Sequence, residues 1–408
     1  MKCRHCRHDL TLPLIDLGSS PPSNSYLTEA ALSAPETWYP LRVAVCTHCW
    51  LVQTEDFARR DEFFSEDYAY FSSFSDSWLK HSEAYVAQMT ERFGLGPQSL
   101  VVEVASNDGY LLQYVRARGI GALGVEPTAS TAQAARDKGI EVVEEFFGVA
   151  LATRLVAEGR AADLTAANNV LAHVPDIDDF VAGFATLLKP DGVSTFEFPH
   201  LANLIDLSQF DTIYHEHYSY LSLTAVAAIF AANGLAVFDV QEIPTHGGSL
   251  RVYAQRSNTG ERQASDRVAA LLEREAAAGI ATPAYYGQLQ GAAERIARDL
   301  VDFLITARRE GRSVAAYGAA AKGNTLLNFA GVRPHLLRWV VDRNPHKQGK
   351  YMPGSRIPIV GEDHIRAERP DYVVILPWNL RHEVVEQLGY IREWGGRFVT
   401  AIPSLTVE

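Results

Sequence analysis

Ser99-Leu100-Val101-Val102-Glu103-Val104-Ala105-Ser106-Asn107-Asp108-Gly109-Tyr110-Leu111-Leu112-Gln113-Tyr114-Val115 decides the fold class of this 408-residue chain. After the turn residues Gly94-Leu95-Gly96-Pro97, a short β-branched run from Ser99 to Val104 reads as a strand. Ala105–Gly109 reads as a tight loop, and Tyr110–Val115 as the start of a helix. The pattern then repeats. Ala122-Leu123-Gly124-Val125 is a strand ending on Glu126-Pro127 and followed by a helix over Ser130–Lys138. Ala162–Val174 opens a third unit. Repeated strand–helix units imply a parallel sheet with its ligand at the carboxyl ends of the strands.

The ligand follows from what the loop lacks. No G-x-G-x-x-G lies between Glu103 and Leu112, so a dinucleotide pyrophosphate has no cradle. Glu126, 23 residues after Glu103, stands where a carboxylate grips ribose hydroxyls. A nucleoside without phosphates, S-adenosylmethionine (SAM), fits both facts. Glu103-Val104-Ala105-Ser106-Asn107-Asp108-Gly109 resembles the first motif of class I methyltransferases, with Ala105 where glycine is commonest. The cofactor set expected from this likeness is Glu103, Ala105, Ser106, Asn107, Asp108, Gly109, Glu126, Asn168 and Asn169. Glu126 would take the ribose, Asn107, Asp108 and Gly109 the methionine end, and Phe146 or Phe147 the adenine face.

All four cysteines fall in the first 49 residues, as Cys3-x-x-Cys6 and Cys46-x-x-Cys49. In a reduced compartment that spacing points to a closed four-cysteine zinc site that staples a fold rather than activating water. Up to Val52 the segment balances four basic against four acidic residues, and the whole chain carries 37 basic and 49 acidic residues for a net charge of −12. Nucleic acid is therefore a poor partner. The Pro21-Pro22-Ser23-Asn24-Ser25-Tyr26 stretch is loop-like and either packs on the next domain or lines its site. No signal-peptide core follows Met1 and no 18-residue apolar run occurs, so the expectation is a soluble, cytoplasmic protein without membrane contact, either monomer or homodimer.

Beyond the strand Ser194–His200, the run Tyr214-His215-Glu216-His217 packs a phenol, a carboxylate and two imidazoles into four positions. Histidine accepts and returns protons near neutral pH, so acid–base chemistry is the leading reading. A metal bound by His215 and His217, or a purely structural cluster, stand as alternatives. Taken with Asn169–Val174, Thr245-His246-Gly247-Gly248-Ser249-Leu250-Arg251 and Gly318-Ala319-Ala320-Ala321-Lys322-Gly323-Asn324-Thr325, this run resembles the sugar C-methyltransferases that act on nucleotide-activated 4-keto-6-deoxyhexoses. The likeness spans essentially the whole chain.

From Ser265 to Arg309 the chain reads as long helices broken at Gly279 and Pro283. After them come strands at Ser313–Tyr317, Arg338–Asp342, the latter ending on an acid, and Tyr372–Leu376, a helix over His382–Trp394, and a last strand at Arg397–Val399. The expected fold is α/β throughout. Residues 1–54 form a zinc module, 55–260 a class I methyltransferase domain of Rossmann-like type, and 261–408 linker helices with a second Rossmann-like α/β domain. Gly318-x-x-x-x-Gly323-Asn324-Thr325 nearly spells a P-loop, but Asn324 replaces the lysine, which argues against ATP hydrolysis. A glycine loop at a helix amino terminus still suits a diphosphate, with Lys322 and either Lys347 or Lys350 adding charge. The alternative is a domain kept only for packing.

The resemblance implies the chemistry. A carbon beside a ketone is deprotonated, and the enolate attacks the methyl of SAM; the protein must supply a base and an oxyanion partner. His217 is the expected base at C3 of a nucleotide-diphosphate 4-keto sugar, with Glu216 orienting or charging the cluster. His173 and Tyr214 would donate to the enolate oxygen, and Tyr68 would face the sugar. Lys322, Asn324, His246, Ser249, Arg251 and Lys350 would bind the substrate, and Cys3, Cys6, Cys46 and Cys49 the Zn2+, a site expected to be remote in role from His217. An O- or N-methyltransferase, a nucleic-acid methyltransferase, or a non-catalytic zinc-anchored nucleotide-binding protein are the competing readings.

Overall fold

The structure, a computed structural model, describes residues 1–57 and 71–408. The first cysteine knuckle precedes, and the second joins two strands of, a small antiparallel sheet of β1 (Leu12–Ser20), β2 (Tyr39–Val45) and β3 (Val52–Thr54). Leu41, Val43 and Val45 alternate inward along β2, as a half-buried strand requires. Helix α1 (Asp76–Phe93) follows, capped by the Ser75 hydroxyl accepting the Trp78 amide and closed by Gly94 at φ 62°.

The middle of the chain alternates β4 (Leu100–Val104), α2 (Leu112–Ala117), β5 (Gly121–Val125), α3 (Ala129–Asp137), β6 (Glu141–Val143), α4 (Val149–Ala157), β7 (Ala162–Asn168) and α5 (Ile177–Leu187). Strand β8 (Leu188–Pro199), helix α6 (Leu201–Asp206), the short β9 (Ser219–Tyr220), helix α7 (Leu223–Ala232), and the hairpin β10 (Leu235–Ile243) and β11 (Ser249–Arg256) complete it. The seven-stranded sheet runs β10-β11-β8-β7-β4-β5-β6. Strands β4 to β8 are parallel, and β11 is inserted antiparallel to both neighbours. The carboxyl ends of β4, β5 and β7 therefore open on one edge, as the repeated units demand.

Strand β9 belongs elsewhere. Val52 and Gln53 pair with Tyr220 and Ser219, so the segment just after His217 is the fourth strand of the amino-terminal sheet.

Helices α8 (Asp266–Ala278) and α9 (Leu289–Arg309) lead to β12 (Val314–Tyr317), α10 (Ala321–Phe329), β13 (Val340–Val341), β14 (Ile359–Val360), α11 (Asp363–Glu368), β15 (Tyr372–Ile375), α12 (Arg381–Gln387), β16 (Arg397–Thr400) and β17 (Thr406–Val407). Their sheet is ordered β14-β13-β12-β15-β16-β17, parallel except for β17. The helix expected over His382–Trp394 is split: α12 stops at Gln387 and a 3-10 turn over Gly389–Trp394 takes over, glycine being a weak helix former.

The core ties these parts together. One face of α9 (Leu289, Ala293, Ile296, Leu300, Leu304) shares a single hydrophobic cluster with Leu14, Leu17, Leu41 and Val43 of the first sheet and with Val340 and Val374 of the last. Cys3, Cys46, Cys49 and Leu51 join the core around Phe180 and Phe184 of α5. The amino-terminal segment is thus wedged between two α/β domains. Among the described residues no helix is long and apolar enough to cross a membrane.

Candidate active site

The four cysteine sulfurs lie within 4.8 Å of one another, with Cys3 to Cys49 at 3.6 Å and Cys6 to Cys46 at 3.4 Å. Sulfurs about 2.3 Å from a tetrahedral zinc stand about 3.8 Å apart, so the donor set fits that ion. Among the described residues it is the one group of three or more His, Cys, Asp or Glu side chains close enough to hold a metal. His215 does not build a second site with His217: its Nε2 faces the Pro40 carbonyl at 3.2 Å and its ring abuts Tyr39, whereas His217 turns to Thr212.

At the carboxyl edge of the middle sheet, the loop after β4 needs left-handed backbone at Ala105 (φ 59°), Asn107 (φ 49°) and Gly109 (φ 75°). At Gly109 a Cβ would lie 2.3 Å from Ile140 Cδ1, so only glycine fits. Glu126 follows β5 and accepts the Asn107 amide (3.0 Å) and the Thr128 amide (2.9 Å), which fixes the loop against the acid. Burial pushes the Glu126 carboxyl up, and the buried Glu103 further, with the Tyr110 hydroxyl set against it. Ser106 Oγ, Asp108 Oδ1, Asn168 Oδ1 and Asn169 Oδ1 are buried with no hydrogen-bond partner. Each such atom costs about 1–3 kcal/mol if left unpaired, so four along one edge fit a polar ligand laid across it.

Asn107, and one oxygen of Asp108, are engaged within the protein. Asn107 Oδ1 accepts the Ser72 amide (2.9 Å), and Asp108 Oδ2 the Ser73 amide and the Lys138 ammonium (both 3.3 Å). Phe147 is packed on Phe180 and Phe184, whereas Phe146 is 41% exposed at the mouth of the same edge. Of the two rings, Phe147 is the one taken into the core.

The histidine cluster sits where the first sheet, the middle domain and the last domain meet. His217 Nδ1 is 2.8 Å from the Thr212 carbonyl, and His173 Nδ1 is 2.8 Å from the Glu216 carbonyl. A carbonyl only accepts, so both Nδ1 atoms carry the proton and both Nε2 atoms carry a lone pair. Burial holds His173 down to about 4 and His217 well below its usual 6.5, so both rings are neutral at pH 7. The two rings are 4.6 Å apart, and Tyr214 lies over His217 at 3.9 Å. His173 therefore differs from the expected donor: in this tautomer its Nε2 accepts. Glu216 does not orient His217 either. Its Oε2 takes the Asn24 amide (2.6 Å), and burial pushes its carboxyl up to about 7. The Pro21–Tyr26 loop thus lines the site. Tyr68 lies outside the described residues.

Lys322 of α10 reaches this junction. Its Nζ donates to Asn379 Oδ1 (3.0 Å) and lies 4.5 Å from the Trp378 ring centroid, while Trp378 Nε1 donates to Asp211 Oδ2 (2.8 Å). Asp211 precedes Thr212, and burial pushes its carboxyl up to about 6. His246, at φ 55°, accepts the Asn169 amide nitrogen at 3.0 Å and abuts Trp78.

The glycine loop of the last domain has a packing cause. A Cβ on Gly318 would meet Pro377 Cδ at 2.4 Å, and one on Gly323 would meet Leu376 Cδ1 at 2.7 Å. The Ala319 amide is taken by Asp342 (2.8 Å), and its carbonyl by Tyr26 Oη and Lys347 Nζ. Asn324 Nδ2 donates to the Ser23 carbonyl (2.6 Å). Lys347, not Lys350, reaches this loop; the main chain of Lys350 bonds to Lys347 and Ile359. The Ser249 hydroxyl donates to the Thr245 carbonyl, and Arg251 is consumed by Glu197 (2.6 Å), Gln88 and Gln241 beneath the site. Sequence reasoning missed Thr212, Asp211, Trp378 and Asn379. Their one signal was position, just beyond a strand's carboxyl end for the last two.

Three family models match successive parts of the chain. Residues 3–64 match a family model described as a putative zinc binding domain, 78–240 a methyltransferase domain, and 244–403 a C-methyltransferase C-terminal domain. The C-methyltransferase NovU of Streptomyces niveus is 35% identical over 403 residues, covering 99% of this chain and 96% of that protein. A SAM-dependent methyltransferase from Clostridium acetobutylicum superposes on 45% of this chain and 92% of its own, with 11% identity and a TM-score of 0.36. The SAM-bound magnesium protoporphyrin IX methyltransferase of Synechocystis PCC 6803 covers 44% and 79%, with 16% identity and a TM-score of 0.34.

Proposed function

The chain belongs to the C-methyltransferase family that includes NovU and is a SAM-dependent methyltransferase, and from that premise we propose that it methylates C3 of a nucleotide-linked 4-keto-6-deoxy sugar through an enolate. The observation that carries the reading is the unprotonated Nε2 of His217, fixed by the Nδ1 bond to Thr212 and kept neutral by burial. C-methylation needs a carbon nucleophile, and a carbon beside a ketone becomes one when a positioned base removes its proton.

His217 takes that proton at Nε2. Negative charge then develops on the 4-keto oxygen, and the Tyr214 hydroxyl and the Lys322 ammonium are the groups suited to receive it. His173, neutral and with its ring 4.6 Å from that of His217, packs beside the base. The orphaned atoms of Ser106, Asp108, Asn168 and Asn169, with the Glu126 carboxylate, would hold SAM, and Phe146 would cover its adenine. When bound, SAM supplies the electrophilic methyl group. The four cysteines hold zinc as a closed site that leaves no coordination position for substrate.

The test is deuterium uptake from D2O by a dTDP-linked 4-keto-6-deoxyhexose in the absence of SAM. The wild-type protein should exchange the proton at C3. His217→Asn should lose exchange and methyl transfer by about 10²–10⁴-fold while SAM still binds. Exchange at C5 instead would move the methylated carbon across the ketone, and methyl transfer to oxygen without any exchange would sink the enolate reading.

A further inference from the structure

The segment bearing His217 is gripped from two sides. On one, the Tyr218 amide donates to the Ala172 carbonyl at 2.8 Å, within the middle domain. On the other, the Thr54 hydroxyl donates to the His217 carbonyl, and the Thr54 amide donates to the Tyr218 carbonyl at 3.2 Å. Thr54 is 1% exposed and ends β3 of the amino-terminal sheet.

One residue earlier, Gln53 is fully buried, and its side-chain amide spans the first cysteine knuckle. Nε2 donates to Cys3 Sγ (3.3 Å) and Oε1 accepts the Arg4 amide (2.8 Å). Arg4 in turn donates to the Thr54 carbonyl (2.9 Å) and to the Pro175 carbonyl (3.1 Å), bridging the knuckle to the middle domain. A metal-ligating sulfur is therefore joined through hydrogen bonds and the short β3 strand to the peptide of the proposed base.

We propose that Thr54 is a positioning residue for His217, and that the zinc knuckle, through Gln53 and β3, sets the geometry in which that base meets the sugar. The proposal rests on His217 being the base. Without the Thr54 contacts, the His217 and Tyr218 carbonyls would lose their hydrogen bonds, and the main chain at 217–218 would be held to the middle domain through the Tyr218 amide on Ala172. His217 Nδ1 is anchored to a neighbouring carbonyl of the same stretch, so the ring moves with the backbone that Thr54 holds. A base displaced by about 1 Å loses on the order of 10²-fold in rate, because proton transfer depends on near-contact geometry.

Thr54→Val keeps the shape and deletes the hydroxyl; Thr54→Ser keeps the hydroxyl. In the full-length zinc-loaded protein, Thr54→Val should lower the turnover number for deuterium exchange of the dTDP-linked 4-keto-6-deoxyhexose by about ten-fold or more, with KM, SAM affinity and zinc content unchanged, and Thr54→Ser should restore most of it. Chelating the zinc should speed amide hydrogen exchange across residues 217–220 before that of β4 and β7. Wild-type turnover in Thr54→Val, failure of Thr54→Ser to recover, or unchanged protection of residues 217–220 after zinc removal would each overturn the proposal. If His217→Asn proves active, the base assignment falls; if it is inactive while Thr54→Val is normal, only the positioning role falls.

Discussion

Glu216 is 2% exposed and its carboxyl is pushed up to about 7, because burial penalises the charged form more than the Asn24 amide repays it. The folded chain therefore holds a proton that the unfolded chain, with a carboxyl near 4.5, releases as pH rises. Stability contributed by this group is fully present below pH 4.5 and is lost as pH climbs to 7. His173 and His246 act in the opposite sense. Both are held to about 4 by burial, so the unfolded chain takes up protons between pH 6.5 and 4 that the folded one refuses, and stability falls on acidification. Glu216→Gln keeps the acceptor for Asn24 and removes the charge. Thermal denaturation should show the variant more stable than wild type at pH 8, by up to about 3 kcal/mol, and equal to it near pH 4.5. An equal shift at both pH values would mean that the carboxyl does not titrate in that window. Residue types alone single out the Tyr214–His217 run as a candidate acid–base cluster. Its partners were not, since Asn24 lies 192 residues away and Thr212 acts through its main chain.

Elements were read best where the pattern repeats. The strand–loop–helix units around β4, β5 and β7 stand where periodicity puts them, because a buried parallel strand needs a continuous apolar run and its loop needs residues tolerant of positive φ. Strand β9 is two residues long and could not be seen in a sequence; it exists because β3 offers it an edge. Phe146 and Phe147 show the same limit one residue at a time, since adjacent aromatics look alike until the loop chooses which turns inward. Phe147→Ala should destabilise the protein by about 3–5 kcal/mol in denaturant titration, the cost of emptying a core ring site beside Phe184. Phe146→Ala should leave stability within about 0.5 kcal/mol and weaken SAM binding by calorimetry, as expected of an exposed ring that covers a ligand. Weaker SAM binding in neither variant would remove adenine from this loop.

At the scale of the whole molecule, the net charge of −12 is an average that conceals a junction where Lys322 and Lys347 face the interdomain site. The cysteines mark a zinc module, and its packing ties it to the rest of the chain. Leu14, Ile15, Leu17, Leu41, Val43, Val45 and Val52 are all buried in the cluster that includes α9 and the last sheet. At about 1.5–3 kcal/mol for each buried side chain, their loss is comparable to the whole net stability of a domain, about 5–15 kcal/mol. A chain lacking residues 1–57 should therefore expose the matching face of α9, bind a hydrophobic dye, and aggregate. It would also lack the edge on which β9 is paired. Residues 78–256, which contain the complete seven-stranded sheet and the orphaned polar atoms at its edge, should keep SAM affinity within about ten-fold yet show no deuterium exchange at the sugar. Calorimetry on that piece reads its SAM affinity, and light scattering on the truncated chain reads its aggregation. A monodisperse chain without residues 1–57 that still exchanges the sugar proton would mean that the wedge only decorates the enzyme. Loss of exchange with retained SAM binding would place the amino-terminal segment inside the catalytic unit.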